Sequence, residues 1–272
     1  VRLRELLRDT LTAEELESLP SGFDVVGDIA ILEIPDAFRP KETAIGTVVL
    51  ANLKHVKVVV AKDEPHSGEL RTRTVRHLAG EQRTTTMHKE SGVVLEVDVE
   101  SMYFSPRLSH ERLRIASLIK PGERVLVMFS GCGPFPLVIA RNAKPSEVVA
   151  VELNPAAHQY ALRNAARNKA KQVRCMQGDV REVVPALGSF DRVVMPHPEG
   201  GEDFLDIALP AVKRNGALHF YDFLEESEIP QAAQKVKQAG NAAGREVQVL
   251  GSTVCGQIGV RRYRVCVDAL VE

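Results

Sequence analysis

Apolar and polar positions change their rhythm along this chain near residue 120. Between Arg4 and Leu19 the leucines at 6, 7, 11, 16 and 19 recur among charges, predicting an amphipathic helix or helix pair that Pro20-Ser21-Gly22 ends. Phe23 to Ile34 is β-branched and broken by Gly27-Asp28, the pattern of a hairpin, and Pro35 closes it. Lys41 to Ala51 predicts a helix, Val56 to Val60 a buried strand, and the alternation over Val93 to Val99 a half-exposed strand. Helical spacing returns from Glu111 to Ile119, and Lys120-Pro121-Gly122 is a turn. Strands are then predicted at Val125–Phe129, Val148–Glu152, Val173–Met176, Arg192–Met195 and Ala217–Phe223, with a final pair near Val247–Leu250 and Tyr263–Val267. Strand alternating with helix means a mostly parallel sheet covered on both faces. The expected organisation is a helical segment over 1–20, a smaller α+β domain over 21–105, and an α/β domain over 106–272.

The run V-L-V-M-F-S-G-C-G-P-F at Val125 to Phe135 gives that sheet its chemistry. Gly131 and Gly133 let backbone approach a ligand where a Cβ would collide, and Glu152, about 20 residues on, is placed to accept from ribose hydroxyls. The loop lacks the third glycine of a dinucleotide fingerprint, so the expected cofactor is S-adenosyl-L-methionine rather than a dinucleotide. Phe129, Gly131, Gly133, Glu152, Leu153, Asp179, Val180 and Pro196 fall at the carboxyl ends of predicted strands, where such sheets bind ligands. Asp179 is either a helix N-cap or, with Val180, a holder of the adenine amine. Asn154 before Pro155 suits an N-cap as well as the site. Pro196 and Pro198 would make a rigid wall, and His197 between them reads as a loop histidine rather than a general base.

Composition narrows the setting more than the function. The chain has 272 residues and a net charge of −1, which neither supports nor excludes a nucleic-acid partner. No apolar run reaches the ~18 residues of a membrane helix, and no secretory h-region follows the first residues. Cys132, Cys175, Cys255 and Cys266 form no C-x-x-C pair, so no metal site is expected and a cytoplasmic setting is. Local charge says more. Arg71, Arg73, Arg76, His77, Arg83, His88 and Lys89 make a basic run suited to either a solvated face or an RNA backbone. Arg107, Arg112 and Arg114 crowd a helix start, where the macrodipole disfavours cations, so an anion is expected there, either a ligand or Glu111.

Together F-D-V-V-G-D-I-A-I, G-E-L-R-T-R, T-T-T-M-H-K-E-S-G, Y-F-S-P-R-L-S-H-E-R, F-S-G-C-G-P-F, V-E-L-N-P and G-D-V-R-E carry a resemblance. The chain resembles the archaeal and eukaryotic tRNA (guanine-N1)-methyltransferases that modify the guanosine 3′ of the anticodon, from about Phe23 to the C-terminus. A related branch, the wybutosine-pathway aminocarboxypropyl transferase, shares most of these motifs; Arg107 and Pro134-Phe135 point to methyl transfer, while Val127 and Pro196 leave as a further alternative a catalytically degenerate protein that only binds RNA. The resemblance implies a Rossmann-like class I methyltransferase domain with Glu111 as general base for guanine N1 and Arg71 offsetting charge at O6. It implies Arg112 at the carboxylate end of the cofactor, Glu152 with Leu153 at the ribose, and Asp179 with Val180 at the adenine. Arg73, Arg76, Arg83, Lys89 and Arg107 are the expected RNA contacts. The expected partner is the anticodon arm of tRNA, bound by a monomer with no membrane. Three departures stand out: Val127 where the family often has Asp, Pro196-His197-Pro198 where many members have N-L-P, and an extra N-terminal domain absent or reduced to residues before Pro20.

Overall fold

The computed structural model describes residues 2–64 and 68–272; Val1, the first residue of the expected helical segment, lies outside them. The chain divides into two compact units, Val1–Lys89 with Val94–Pro106, and Glu90–Val93 with Arg107–Glu272.

In the first unit the leucine-rich start forms the helix pair α1 (Leu3–Leu6) and α2 (Ala13–Ser18). Thr12 and Glu15 close a reciprocal capping box on α2. Leu3, Leu7, Leu11 and Leu19 enter one core with Leu32, Ile45, Val49 and Val59, each large side chain contributing about 1.5–3 kcal/mol on full burial. The hairpin β1 (Asp24–Val26) and β2 (Ile29–Leu32) turns at Gly27, whose φ of 56° and close approach to Thr86 both exclude a side chain. α3 (Glu42–Asn52) lies where expected, and β3 (Val58–Lys62) starts at Val58 rather than Val56.

β4 (Val75–Gly80) and β5 (Thr85–Glu90) fall within the basic run, which the sequence pattern does not read as strand. Only Leu78 of β4 is buried, and β4 is the edge of the sheet β1-β2-β3-β4, so no apolar alternation marks it. β5 pairs with β6 (Val93–Asp98), whose burial alternates along its length as its sequence predicts.

The second unit is a seven-stranded sheet in the order β12-β13-β11-β10-β7-β8-β9. Its strands are β7 (Arg124–Val127), β8 (Glu147–Glu152), β9 (Val173–Gln177), β10 (Phe190–Met195), β11 (Val212–Glu225), β12 (Val247–Gly259) and β13 (Arg262–Val271). β7 to β11 are parallel; β13 and β12 are antiparallel additions. The helices are α4 (Ser109–Ser117), α5 (Pro134–Asn142), α6 (Pro155–Arg167), α7 (Val180–Val183), α8 (Leu205–Ala211) and α9 (Ile229–Ala242). The chain steps from β7 outward through β8 to β9, then returns to β10 on the other side of β7. That reversal opens a crevice at the carboxyl ends of β7 and β10, the usual ligand position of such sheets. The buried β-branched runs of β7, β8 and β10 form the sheet centre because both faces are covered.

Candidate active site

β7 ends at Val127, and Met128 N donates to Val194 O at 3.0 Å, keeping the following loop against β10. Phe129 then takes φ 54°, a left-handed conformation costly for a bulky residue, and Gly131 and Gly133 follow at φ 56° and 90°. Gly133 precedes Pro134 at the first turn of α5, where the missing N–H costs nothing. Glu152 holds the loop from β8: Oε2 accepts from Gly131 N at 2.6 Å and Oε1 from Asn154 N at 2.8 Å. Burial pushes the Glu152 carboxyl up, against the pull of those backbone N–H groups. Asn154 caps α6 by accepting from Ala156 N and Ala157 N.

With Val127 apolar, the loop takes another anchor. Asn164, fully buried on α6, donates to Cys132 O at 3.0 Å. The sequence signal for it was available: a polar residue in the buried stripe Ala157, Ala161, Asn164. Asp179 is the N-cap of α7, accepting from Arg181 N at 2.8 Å, and Val180 is buried behind it. Leu153 is half-buried beside Glu152.

Pro196 follows β10, and His197 stacks on Phe129 with ring centroids 4.6 Å apart. Phe204 meets Phe129 edge-on at 4.9 Å, and the Arg181 guanidinium lies 4.0 Å over Phe204. Phe204 was not singled out from sequence because it lies in no motif, and Arg181, although inside G-D-V-R-E, was given no role there. The strained Phe129 backbone thus aims an aromatic ring into a planar, partly cationic wall at the crevice.

Glu111, Arg112 and Arg114 share α4 but face different partners. Glu111 is 5% exposed; it accepts from Tyr221 Oη at 2.6 Å and from Arg114 Nε and Nη2 at 2.7 Å each. Arg114 also binds Asp268. The Arg112 side chain is 2% exposed and forms a forked pair with Glu90, both bonds at 2.5 Å, while its guanidinium lies 5.9 Å from the Phe135 ring. Arg107 is exposed in the short turn Pro106–Leu108 before α4. The anion expected near these arginines therefore includes Glu111 itself, together with Glu90 and Asp268.

In the first unit Arg71 is half-buried with φ 52°, and its N–H donates to Gly68 O at 3.2 Å. Arg73 Nε donates to Val99 O at 3.0 Å. Arg76 is held by Glu42 at 2.9 Å and by Asp63. Arg83 forks onto Asp28 at 2.7 and 2.9 Å and also binds Glu81 at 2.8 Å. That fork holds the Asp28 carboxyl below the usual range and raises the Arg83 guanidinium. Thr86 and His88 complete the turn, accepting from Asp28 N and Gly27 N. Lys89 is exposed.

Left-handed glycines, a carboxylate at the next strand's end, a capped third turn and an aromatic wall around one switch point define a Rossmann-like class I methyltransferase domain. Residues 86–250 match the TRM5/TYW2 methyltransferase domain family and residues 3–84 the TYW2 N-terminal domain family. The chain belongs to the TRM5/TYW2 methyltransferase family. It is 36% identical over 255 residues to the tRNA (guanine(37)-N(1))-methyltransferase Trm5b of Pyrococcus abyssi, covering 93% of this chain and 76% of that protein. The crystal structure of that Trm5b superposes with a TM-score of 0.89 at 35% identity, over 97% of this chain and 79% of the other. The tRNA 4-demethylwyosine(37)-methyltransferase Taw21 of Saccharolobus solfataricus is 33% identical, over 94% of this chain and 95% of its own length. A solved complex of aTrm5 with tRNALeu matches with a TM-score of 0.87 at 32% identity, over 100% of this chain and 78% of that one. No helix among the described residues is long and apolar enough to cross a membrane.

Proposed function

We propose that this protein is an S-adenosyl-L-methionine-dependent tRNA (guanine-N1)-methyltransferase that modifies the guanosine 3′ of the anticodon. The carrying observation is a buried carboxylate, Glu111, oriented on all but one side by Tyr221 and Arg114, in the unit that holds the glycine loop.

The crevice suits the cofactor: Gly131 and Gly133 hold backbone that a Cβ would strain, and Glu152 keeps lone pairs beyond those given to the loop. When bound, S-adenosylmethionine supplies an electrophilic methyl group on a sulfonium. Glu152 with Leu153 would hold its ribose, Asp179 with Val180 its adenine, and Phe129, Gly131, Gly133 and Pro196 would line the path between. Arg112, its guanidinium held in place by Glu90, would stand at the carboxylate end. Guanine N1 is a poor nucleophile while protonated, so Glu111 accepts that proton and Arg71 offsets charge at O6.

In this reading residues 21–105 position RNA and 106–272 carry the chemistry. Lys89, Arg107 and Arg73 would track phosphates; Arg76 and Arg83 would do so only by sharing the carboxylates that hold them. The acceptor is the anticodon arm of tRNA, met by a monomer in the cytoplasm. A second reading is favoured by the TYW2-type N-terminal match over residues 3–84: aminocarboxypropyl transfer from the same cofactor to a tricyclic base at the same nucleoside.

The test is incubation with labelled cofactor and tRNA transcript, followed by nucleoside mass spectrometry. N1-methylguanosine that disappears when the target guanosine is replaced is the expected product. An aminocarboxypropyl adduct on tricyclic-base tRNA, without a methyl product, would move the protein to the second reading.

A further inference from the structure

Around Glu111 the second unit carries a chain of buried and half-buried polar groups that the glycine-loop site does not use. An ionised carboxylate offers about four lone-pair sites. On Glu111, Tyr221 Oη and Arg114 Nη2 occupy Oε1 and Arg114 Nε occupies one side of Oε2, so one acceptor position remains, on Oε2. The far edge of Arg114 binds Asp268, with Nη1 to Oδ2 at 2.6 Å and Nη2 to Oδ1 at 3.2 Å. Asp268 Oδ1 lies 2.6 Å from His219 Nδ1, and His219 Nε2 lies 2.7 Å from Arg192 Nη1. Arginine only donates, so Nε2 accepts and Nδ1 carries the hydrogen that goes to Asp268. Arg192 in turn pairs with Glu123 at 2.8 Å.

An exposed pair three residues apart on a helix would contribute about 0–1 kcal/mol and need no explanation. This pair differs, because the Glu111 side chain is 4% exposed and its arginine is divided between two carboxylates 157 positions apart in sequence, at 111 and 268. Burial opposes ionisation of Asp268, yet His219 and Arg114 hold it charged well below the usual carboxylate range. His219, Cys266 and Asp268 have metal-ligand chemistry within 4.8 Å of one another, but Arg114 and Arg192 place two positive charges against that cluster and oppose a cation.

We propose that Asp268 is a positioning residue for proton removal: through Arg114 it fixes the Glu111 carboxylate so that the remaining Oε2 lone pair faces the acceptor base, and it keeps the arginine's charge from falling on Glu111 alone. The proton moves from guanine N1 to Oε2 as the N1 electron pair becomes available for the methyl group. This inference rests on Glu111 being the base.

The experiment compares Asp268→Asn and Asp268→Glu in the wild-type and Glu111→Gln backgrounds, with kcat and KM for tRNA and cofactor and cofactor Kd by calorimetry. Asp268→Asn is expected to lower kcat about tenfold with both KM values and the Kd nearly unchanged, since misorientation acts on the chemical step. Asp268→Glu should recover part of the rate. In the Glu111→Gln background the same change should cost nothing further, because residues acting as a unit are not additive. An equal loss in both backgrounds, or an unchanged kcat in Asp268→Asn, overturns the proposal. Should Asp268→Asn not fold, Arg114→Lys, which keeps charge but cannot fork onto two carboxylates, serves in the same cycle. Wild-type rate in Glu111→Gln removes the base assignment itself, whereas a wild type that makes no N1-methylguanosine removes the functional reading.

Discussion

Two arginine clusters, alike in the sequence, take on different physical work in the two units. Arg76 and Arg83 in the first unit each bind two carboxylates, and their side chains stay 17% and 26% exposed. They tie β4 and β5 to the α3 start and the Gly27-Asp28 turn, elements whose own apolar content is small. Arg112 in the second unit is sealed with Glu90, whereas Arg114, as exposed as Arg83, reaches inward to the buried Glu111 and to Asp268. A half-exposed pair is screened by water and mainly fixes geometry; a sealed pair must stay matched, since either charge alone would be buried without compensation. A basic run therefore becomes a binding surface, a clamp or a site depending on which carboxylates the fold brings to it.

Breaking the sealed side should have the largest effect. Glu90→Gln leaves Arg112 buried without its counter-charge and is expected to cost about 3–5 kcal/mol, read from urea unfolding. Adding Arg112→Met should restore part of it, because it removes the stranded charge although the amide at position 90 stays buried. No loss in the single variant would mean that water reaches the pair.

The half-exposed side should respond less. Arg83→Ala is expected to cost about 1 kcal/mol and to loosen the Gly27-Asp28 turn. Its tRNA affinity decides the role: an unchanged dependence of log Kd on log salt marks a clamp, and a slope reduced by about 0.9 marks a phosphate contact.

The smallest effect is confined to acid. Burial lowers the His219 pKa below the ordinary histidine value, so the unfolded chain takes up that proton at higher pH than the folded one. The corresponding stability is complete above about pH 6.5 and is lost as pH falls through the lowered folded-state value. His219→Gln, neutral at every pH and able to donate to Asp268, should flatten the fall in Tm between pH 7 and 5.5 relative to wild type. Parallel Tm curves for the two proteins would rule out His219 as the source.

Legibility followed range along the chain. The helix pair, the Gly27-Asp28 hairpin and every parallel strand of the second unit could be read, since each depends on spacing within a few residues. β4 and β5 could not, because they are stabilised by cross-strand pairing and ion pairs rather than by an apolar face. In the site, the glycine loop with Glu152 and Asp179 was legible as a set of strand ends. Tyr221 and Asp268 were not: they lie on the neighbouring strands β11 and β13 and meet α4 only once the sheet has formed. Asp268 left one faint mark, a carboxylate inside the apolar run from Val265 to Val271.

By itself the sequence determined the α/β alternation and the glycine loop, because local spacing and backbone restriction act between near neighbours; the candidate base came only with the family resemblance that its motifs carry. Only the tertiary structure decided which carboxylate meets which arginine. Glu90 with Arg112, Asp28 with Arg83, and Asp268 with Arg114 are meetings across 22, 55 and 154 positions. Their partners follow from burial and geometry once the sheets have formed, which no run of charges in one dimension encodes.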